Sequence, residues 1–134
     1  MKIIFSSLLF SLFIVHGTSA QTSFKFKYYE VYKVKTFDTL YRWEGGKKRN
    51  TFDQPGAVVI NERSKWVKFK LSKDKYEVKQ TIFKVTPAYY QLTSGWIAFR
   101  QKQDENGNYL AVYHPKGNIW VVYYDYPRLE VDVD

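Results

Sequence analysis

The sequence predicts an all-β protein, an antiparallel meander of about eight or nine short strands folded as a small up-and-down barrel or a strongly curled sheet. Three observations carry this expectation. Apolar and charged residues alternate with a period of two, as in Phe24-Lys25-Phe26-Lys27-Tyr28, which turns one face of a strand to a core and the other to water. Turn-forming clusters punctuate the chain at short, regular intervals, and short connections bring consecutive strands together in order. After residue 20 no stretch holds a capped 3.6-residue period, so no long helix is expected.

The first twenty residues stand apart. Met1-Lys2 gives a basic start, residues 3–15 an almost unbroken apolar run, and Thr18-Ser19-Ala20 a small-residue end. That layout is a secretory signal peptide with cleavage expected between Ala20 and Gln21. Its length of 13 residues falls short of the roughly 20 that span a bilayer as a helix. The expected location is secreted or periplasmic, with no stable membrane span after cleavage. The remaining 114 of the 134 residues suffice for a single domain with a real core. We place that β domain at 21–128 and an acidic tail at 129–134.

The elements follow in order. A first strand is expected over 24–35, alternating at 24–28 and again at 32–35, and a second over 39–44. Gly45-Gly46-Lys47-Lys48-Arg49-Asn50, running on to Pro55-Gly56, reads as the longest loop of the chain and as the mouth of any pocket. A strand at 57–61, a turn at 62–64 and a return strand at 65–71 come next. A turn at 72–75 leads to a long strand over 76–85. Pro87 interrupts there, making 89–92 a short or edge strand. Thr93-Ser94-Gly95 turns the chain into a strand at 96–103. Asn106-Gly107 reads as a type I′ hairpin turn, which needs positive φ at both central residues. Strands at 109–114 and 119–124, joined by Pro115-Lys116-Gly117, close the series. Ser64-Lys65-Trp66-Val67-Lys68-Phe69 echoes Ser94-Gly95-Trp96-Ile97-Ala98-Phe99, suggesting that Trp66 and Trp96 open equivalent strands. The tail Leu129-Glu130-Val131-Asp132-Val133-Asp134 either adds a strand to a lysine-rich neighbour or frays.

Composition narrows the chemistry. There is no cysteine, so an exported fold must stand on packing and strand pairing alone. Twelve Tyr and four Trp supply the buried area for that. The net charge of +8 comes from 21 basic residues, only five of them Arg, which favours a solvated lysine surface over bidentate phosphate grips. After cleavage His114 is the one histidine left, and no Gly-x-Ser-x-Gly elbow exists. Nucleophilic catalysis and His/Cys metal sites therefore have little to work with. His114, before Pro115 at a turn, reads as a structural or surface imidazole. For glycoside hydrolysis two of the acids of strand-like segments, Glu30, Glu44, Glu77 and Asp125, or His114 with one of them, would have to converge in a cleft.

Aromatic–basic interleaving at 24–27, 66–70 and 96–100 is the most distinctive pattern. Period two places the rings inward and the cations outward. In Tyr89-Tyr90 and Tyr123-Tyr124 adjacent residues face opposite ways, so one Tyr of each pair must leave the main core. The expected function is non-enzymatic: a domain that binds a small apolar or anionic ligand or an envelope protein, with no cofactor, no metal and no nucleic-acid partner. The candidate ligand-binding residues are Arg42, Trp43, Trp96 and Arg100. A structural or surface-interaction role in the envelope is the alternative, and a glycan-active enzyme the second.

Overall fold

The computed structural model describes residues 21–35, 46–73 and 75–128. Every regular element in them is a strand, and every pairing is antiparallel. The strands are β1 (Gln21–Phe26), β2 (Tyr28–Lys33), β3 (Lys47–Phe52), β4 (Gly56–Asn61), β5 (Trp66–Leu71) and β6 (Glu77–Val85). They continue as β7 (Tyr89–Leu92), β8 (Ile97–Phe99), β9 (Lys102–Gln103), β10 (Asn108–His114) and β11 (Ile119–Tyr124).

Three of these breaks are local. β2 continues β1 beyond Lys27, and β4 continues β3 beyond Pro55, so segment 21–33 runs antiparallel along 47–61. β8 and β9 likewise form one broken line along β10. Eight lines of chain remain, close to the expected number. Each pairs with the next in sequence, and β11 pairs back with β2. The sheet is thus strongly curled, and its pairing path returns to the segment on which it began.

Alternation then sorts the side chains into two layers. Inside the curl, Phe24, Val58, Val67, Leu92, Leu110 and Val112 form one buried cluster with their neighbours. On the outer face of β8, β10, β11 and β2 a second cluster gathers Tyr28, Phe99, Tyr113, Trp120, Val122 and Tyr124. Trp120 and Val122 are fully buried there; burial of such a side chain contributes about 1.5–3 kcal/mol. The Tyr pairs behave as their adjacency demands. Tyr90 and Tyr123 turn to the inner cluster, and Tyr89 and Tyr124 to the outer one.

The outer cluster also holds a carboxylate. Glu30, 9% exposed, accepts hydrogen bonds from Tyr32 Oη at 2.6 Å and Tyr124 Oη at 3.0 Å. Lys48 Nζ at 3.2 Å and Thr51 Oγ1 at 3.4 Å complete its shell from β3. Burial by itself would raise its pKa, but donation from Tyr32, Lys48 and Tyr124 holds it below the usual carboxylate value.

Several expectations are corrected. Residues 47–52 are not loop but β3, paired with β2. The strand carries almost no apolar residue because it is nearly all solvent-exposed. Pairing and a few contacts hold it, among them Phe52 stacked on Tyr29 at 5.0 Å. The strand expected at 39–44 lies outside the described residues, as do 1–20 and the tail 129–134. β7 is short but no edge, being paired with both β6 and β8. The Asn106-Gly107 hairpin forms without a type I′ turn, since Asn106 is absent from the positive-φ residues. Asp104 Oδ1 instead accepts from the backbone N–H groups of Asn106 and Gly107, closing the turn as an Asx motif. Trp66 and Trp96 are not equivalent either: Trp66 opens β5 facing outward beside Lys68, whereas Trp96 packs on the inner cluster.

Gly56 is dictated by packing. A Cβ there would overlap the Lys70 carbonyl oxygen and stand 2.6 Å from Phe26 Cζ. Only glycine lets β4 pass between β5 and that ring.

Candidate functional site

Because the strands alternate in direction, the turns at 72–76, 93–96 and 115–118 share one end of the curl. The turns at 62–65, 86–88 and 104–107 share the other. The two ends differ in chemistry.

The second end is pinned shut by polar contacts. Tyr90 Oη donates to Glu62 Oε2 at 2.6 Å, and Arg100 Nη1 reaches the same carboxylate at 3.2 Å and Tyr90 Oη at 2.6 Å. Arg100 Nε and Nη2 both donate to the Thr86 carbonyl, at 3.1 and 2.9 Å. The guanidinium also lies over the Tyr90 ring, 4.5 Å from its centroid. Burial, followed by the Glu62 contact, pushes the Tyr90 phenol up to about 12. Arg100, a sequence candidate for ligand binding, thus has its donor groups engaged by the protein itself.

At the first end the inner cluster stops short of filling the curl. A cavity of about 190 Å³ remains. Phe26, Tyr29, Phe69, Val78, Val121 and Tyr123 line it with Trp96 and His114, and Leu71 and Tyr76 lie where it meets a neighbouring cleft. The lining is aromatic for a geometric reason. Phe26, Tyr29, Phe69 and Tyr123 are inward positions of β1, β2, β5 and β11 that meet across the curl, and their rings lie 4.7–6.2 Å apart. Trp96 meets Phe69 edge-on at 5.6 Å and His114 at 4.1 Å.

His114 is not a surface imidazole. Its Nε2 is covered and has no hydrogen-bond partner among the described residues, and burial lowers its pKa from 6.5 to about 4. At neutral pH the ring is uncharged, and its Nε2 is left unsatisfied in a mostly aromatic wall. Burial likewise pushes the Tyr123 phenol well above its ordinary value.

The mouth leads into an open cleft of about 470 Å³, and Lys70, Leu71 and Tyr76 border both spaces. Lys75 stands on the same rim. An apolar recess with ammonium groups at its entrance can take a small amphiphile whose ring or chain goes in and whose anionic end stays at the rim.

Of the four sequence candidates, Trp96 lines this cavity and Arg100 does not. Arg42 and Trp43 lie outside the described residues. The acids considered for hydrolysis have separate surroundings. Glu30 belongs to the tyrosine shell, Glu77 pairs with Lys68 at 3.5 Å, and Asp125 accepts from the Asn108 backbone and side chain at 2.8 and 2.9 Å. Glu44 lies outside the described residues, and among those described no group of three His, Asp or Glu is placed to hold a metal ion. Sequence reasoning missed His114, Tyr29, Tyr76 and Tyr123. The signal available for Tyr123 was the Tyr123-Tyr124 adjacency, which already required the two rings to separate.

The fold and the recess define a small antiparallel β domain with an aromatic pocket at one end. Comparison with protein-family models, curated proteins and solved structures finds no match to this chain.

Proposed function

We propose that the protein is an exported, non-enzymatic binder of a small amphiphile, held in the cavity between Phe69, Trp96, His114 and Tyr123. The observation that carries this reading is the unfilled aromatic recess of about 190 Å³ opening beside Lys70 and Lys75. Protein cores are otherwise packed to near-crystal density, so a void of this size is costly to keep. Its volume falls below the roughly 300–1,000 Å³ of pockets for drug-sized molecules, whereas an apolar cavity of about 150 Å³ holds one benzene ring. The ligand class is therefore a single ring or short alkyl chain with a carboxylate or similar anion, not a long-chain lipid.

Titration calorimetry with phenylacetate tests this, with toluene as the uncharged comparison. Wild-type protein binds both, phenylacetate more tightly. Val121→Phe, which fills the recess, abolishes binding while the fold persists. Arg100→Ala, at the opposite end, leaves affinity unchanged. Absence of binding by either probe at millimolar concentration, or unaltered binding by Val121→Phe, overturns the reading.

A further inference from the structure

The outer face of β5 and β6 carries a different arrangement, far along the curl from the cavity mouth. β6 leaves β5 and joins β7 near Ile82, and the register with β7 shifts between Ile82 and Lys84. Phe83 is the residue skipped by that shift. A bulge re-aims its extra side chain, and here it projects an apolar ring outward at the corner of the sheet. Phe83 is 71% exposed, against 53% for Tyr76, the other large hydrophobic at the surface. No packing demand of the fold accounts for it.

The surroundings of this ring are cationic. Lys65 lies across from it, its carbonyl accepting from the Ile82 N–H at 2.8 Å. Lys84 follows it, and Lys79 shares the outward face of β6. Lys79 and Lys84 form no ion pair among the described residues, and Lys65 acts on Glu62 only through its charge, not through a close contact. The acids nearby are already engaged, Glu77 by Lys68 and Glu62 by Arg100 and Tyr90. Trp66, opposite Thr81 in the register, lies beneath the ammonium groups of both Lys68 and Lys79, each 5.1 Å from its ring centroid.

We infer that this corner is a docking surface for an anionic lipid membrane, with Phe83 entering the headgroup region and Lys65, Lys79 and Lys84 facing the lipid phosphates. A lone exposed Phe ringed by lysines matches such a boundary, apolar at its centre and negatively charged around it. A soluble polyanion or glycan fits less well. Phe83 offers it no hydrogen bond, and the ring suited to stacking on a sugar, Trp66, is already overlaid by two ammonium groups.

Sedimentation of the cleaved, full-length protein with vesicles of phosphatidylglycerol and phosphatidylcholine tests the inference. Binding is expected to require the anionic lipid and to weaken with salt. Each lysine near the surface contributes about fivefold, so Lys79→Gln together with Lys84→Gln lowers partitioning roughly twenty-five-fold. Phe83→Ser, a change at an exposed site that leaves folding intact, lowers it about tenfold. Equal binding to pure phosphatidylcholine vesicles overturns the inference, as does a Phe83→Ser protein that partitions like wild type. Binding to dextran sulfate as tight as to vesicles and indifferent to Phe83 also overturns it, assigning the face to polyanions. None of these results bears on the cavity, which Val121→Phe tests separately.

Discussion

Glu30 gives the most decisive test of how the outer cluster holds the sheet. Its carboxylate accepts from Tyr32 and Tyr124, across β2 and β11, and from Lys48 and Thr51 on β3. Replacing it with Ala takes an acceptor from the buried Tyr124 phenol and the half-buried Tyr32 phenol, and removes the carboxylate that pairs with Lys48 between β2 and β3. A hydrogen bond to a charged acceptor contributes about 1.5–3 kcal/mol, but Lys48 is half-exposed and regains water on release. The expected loss is about 3 kcal/mol for Glu30→Ala. Glu30→Gln keeps one acceptor oxygen and loses about half of that. At roughly 4 °C per kcal/mol for a domain of this size, the melting temperature falls by about 12 °C and 6 °C.

The pH dependence carries its own sign. Glu30 is held below its ordinary value of 4.5 in the folded chain, so the unfolded chain takes up its proton first. The stabilisation is complete above that value and is lost as pH falls through the lower folded pKa. The gap between wild type and Glu30→Gln should therefore stay constant from pH 8 to pH 5 and narrow below about pH 4.5. Thermal denaturation followed by near-ultraviolet circular dichroism reads both effects, because the reporting tyrosines are the ones involved. A Glu30→Ala protein melting within 1 °C of wild type, at about 0.25 kcal/mol, would refute the assigned role.

Two further outcomes follow from the structure. His114 titrates at about 4 when folded against 6.5 when free, so wild-type stability should fall by about 3 kcal/mol as pH drops through that interval. His114→Phe keeps a ring against Trp96 and should flatten this limb in urea titrations at stepped pH; an unchanged limb would place the imidazole in water. Gly56→Ala forces a Cβ onto the Lys70 carbonyl and Phe26, and should cost more than 2 kcal/mol by chemical denaturation. Near-wild-type stability would mean that β4 and β5 separate readily.

Particular residues show where the sequence was legible. The alternation of Phe24, Phe26, Val67 and Phe69 with lysines places strands and inward faces without reference to anything distant, because a pleated backbone turns every second side chain the same way. Residues 47–52 failed the same test. They are polar on both faces, and their strand state comes from pairing with β2, which no local window contains. Arg100 and Trp96 show the same limit at the site. Four residues apart in one segment, they looked like one rim; the curl sends Trp96 into the cavity and delivers Arg100 to Glu62, whose position depends on a different hairpin.

The sequence by itself determined the all-β class, an antiparallel meander of about eight or nine strands and the separation of each Tyr-Tyr pair, since period and turn chemistry are local properties. Tertiary structure alone decided that the pairing path returns to its start, that an aromatic recess survives beside His114, and that Phe83 is thrown outward at a bulge. Those features depend on registers between strands, set when side chains far apart in sequence compete for the same interior.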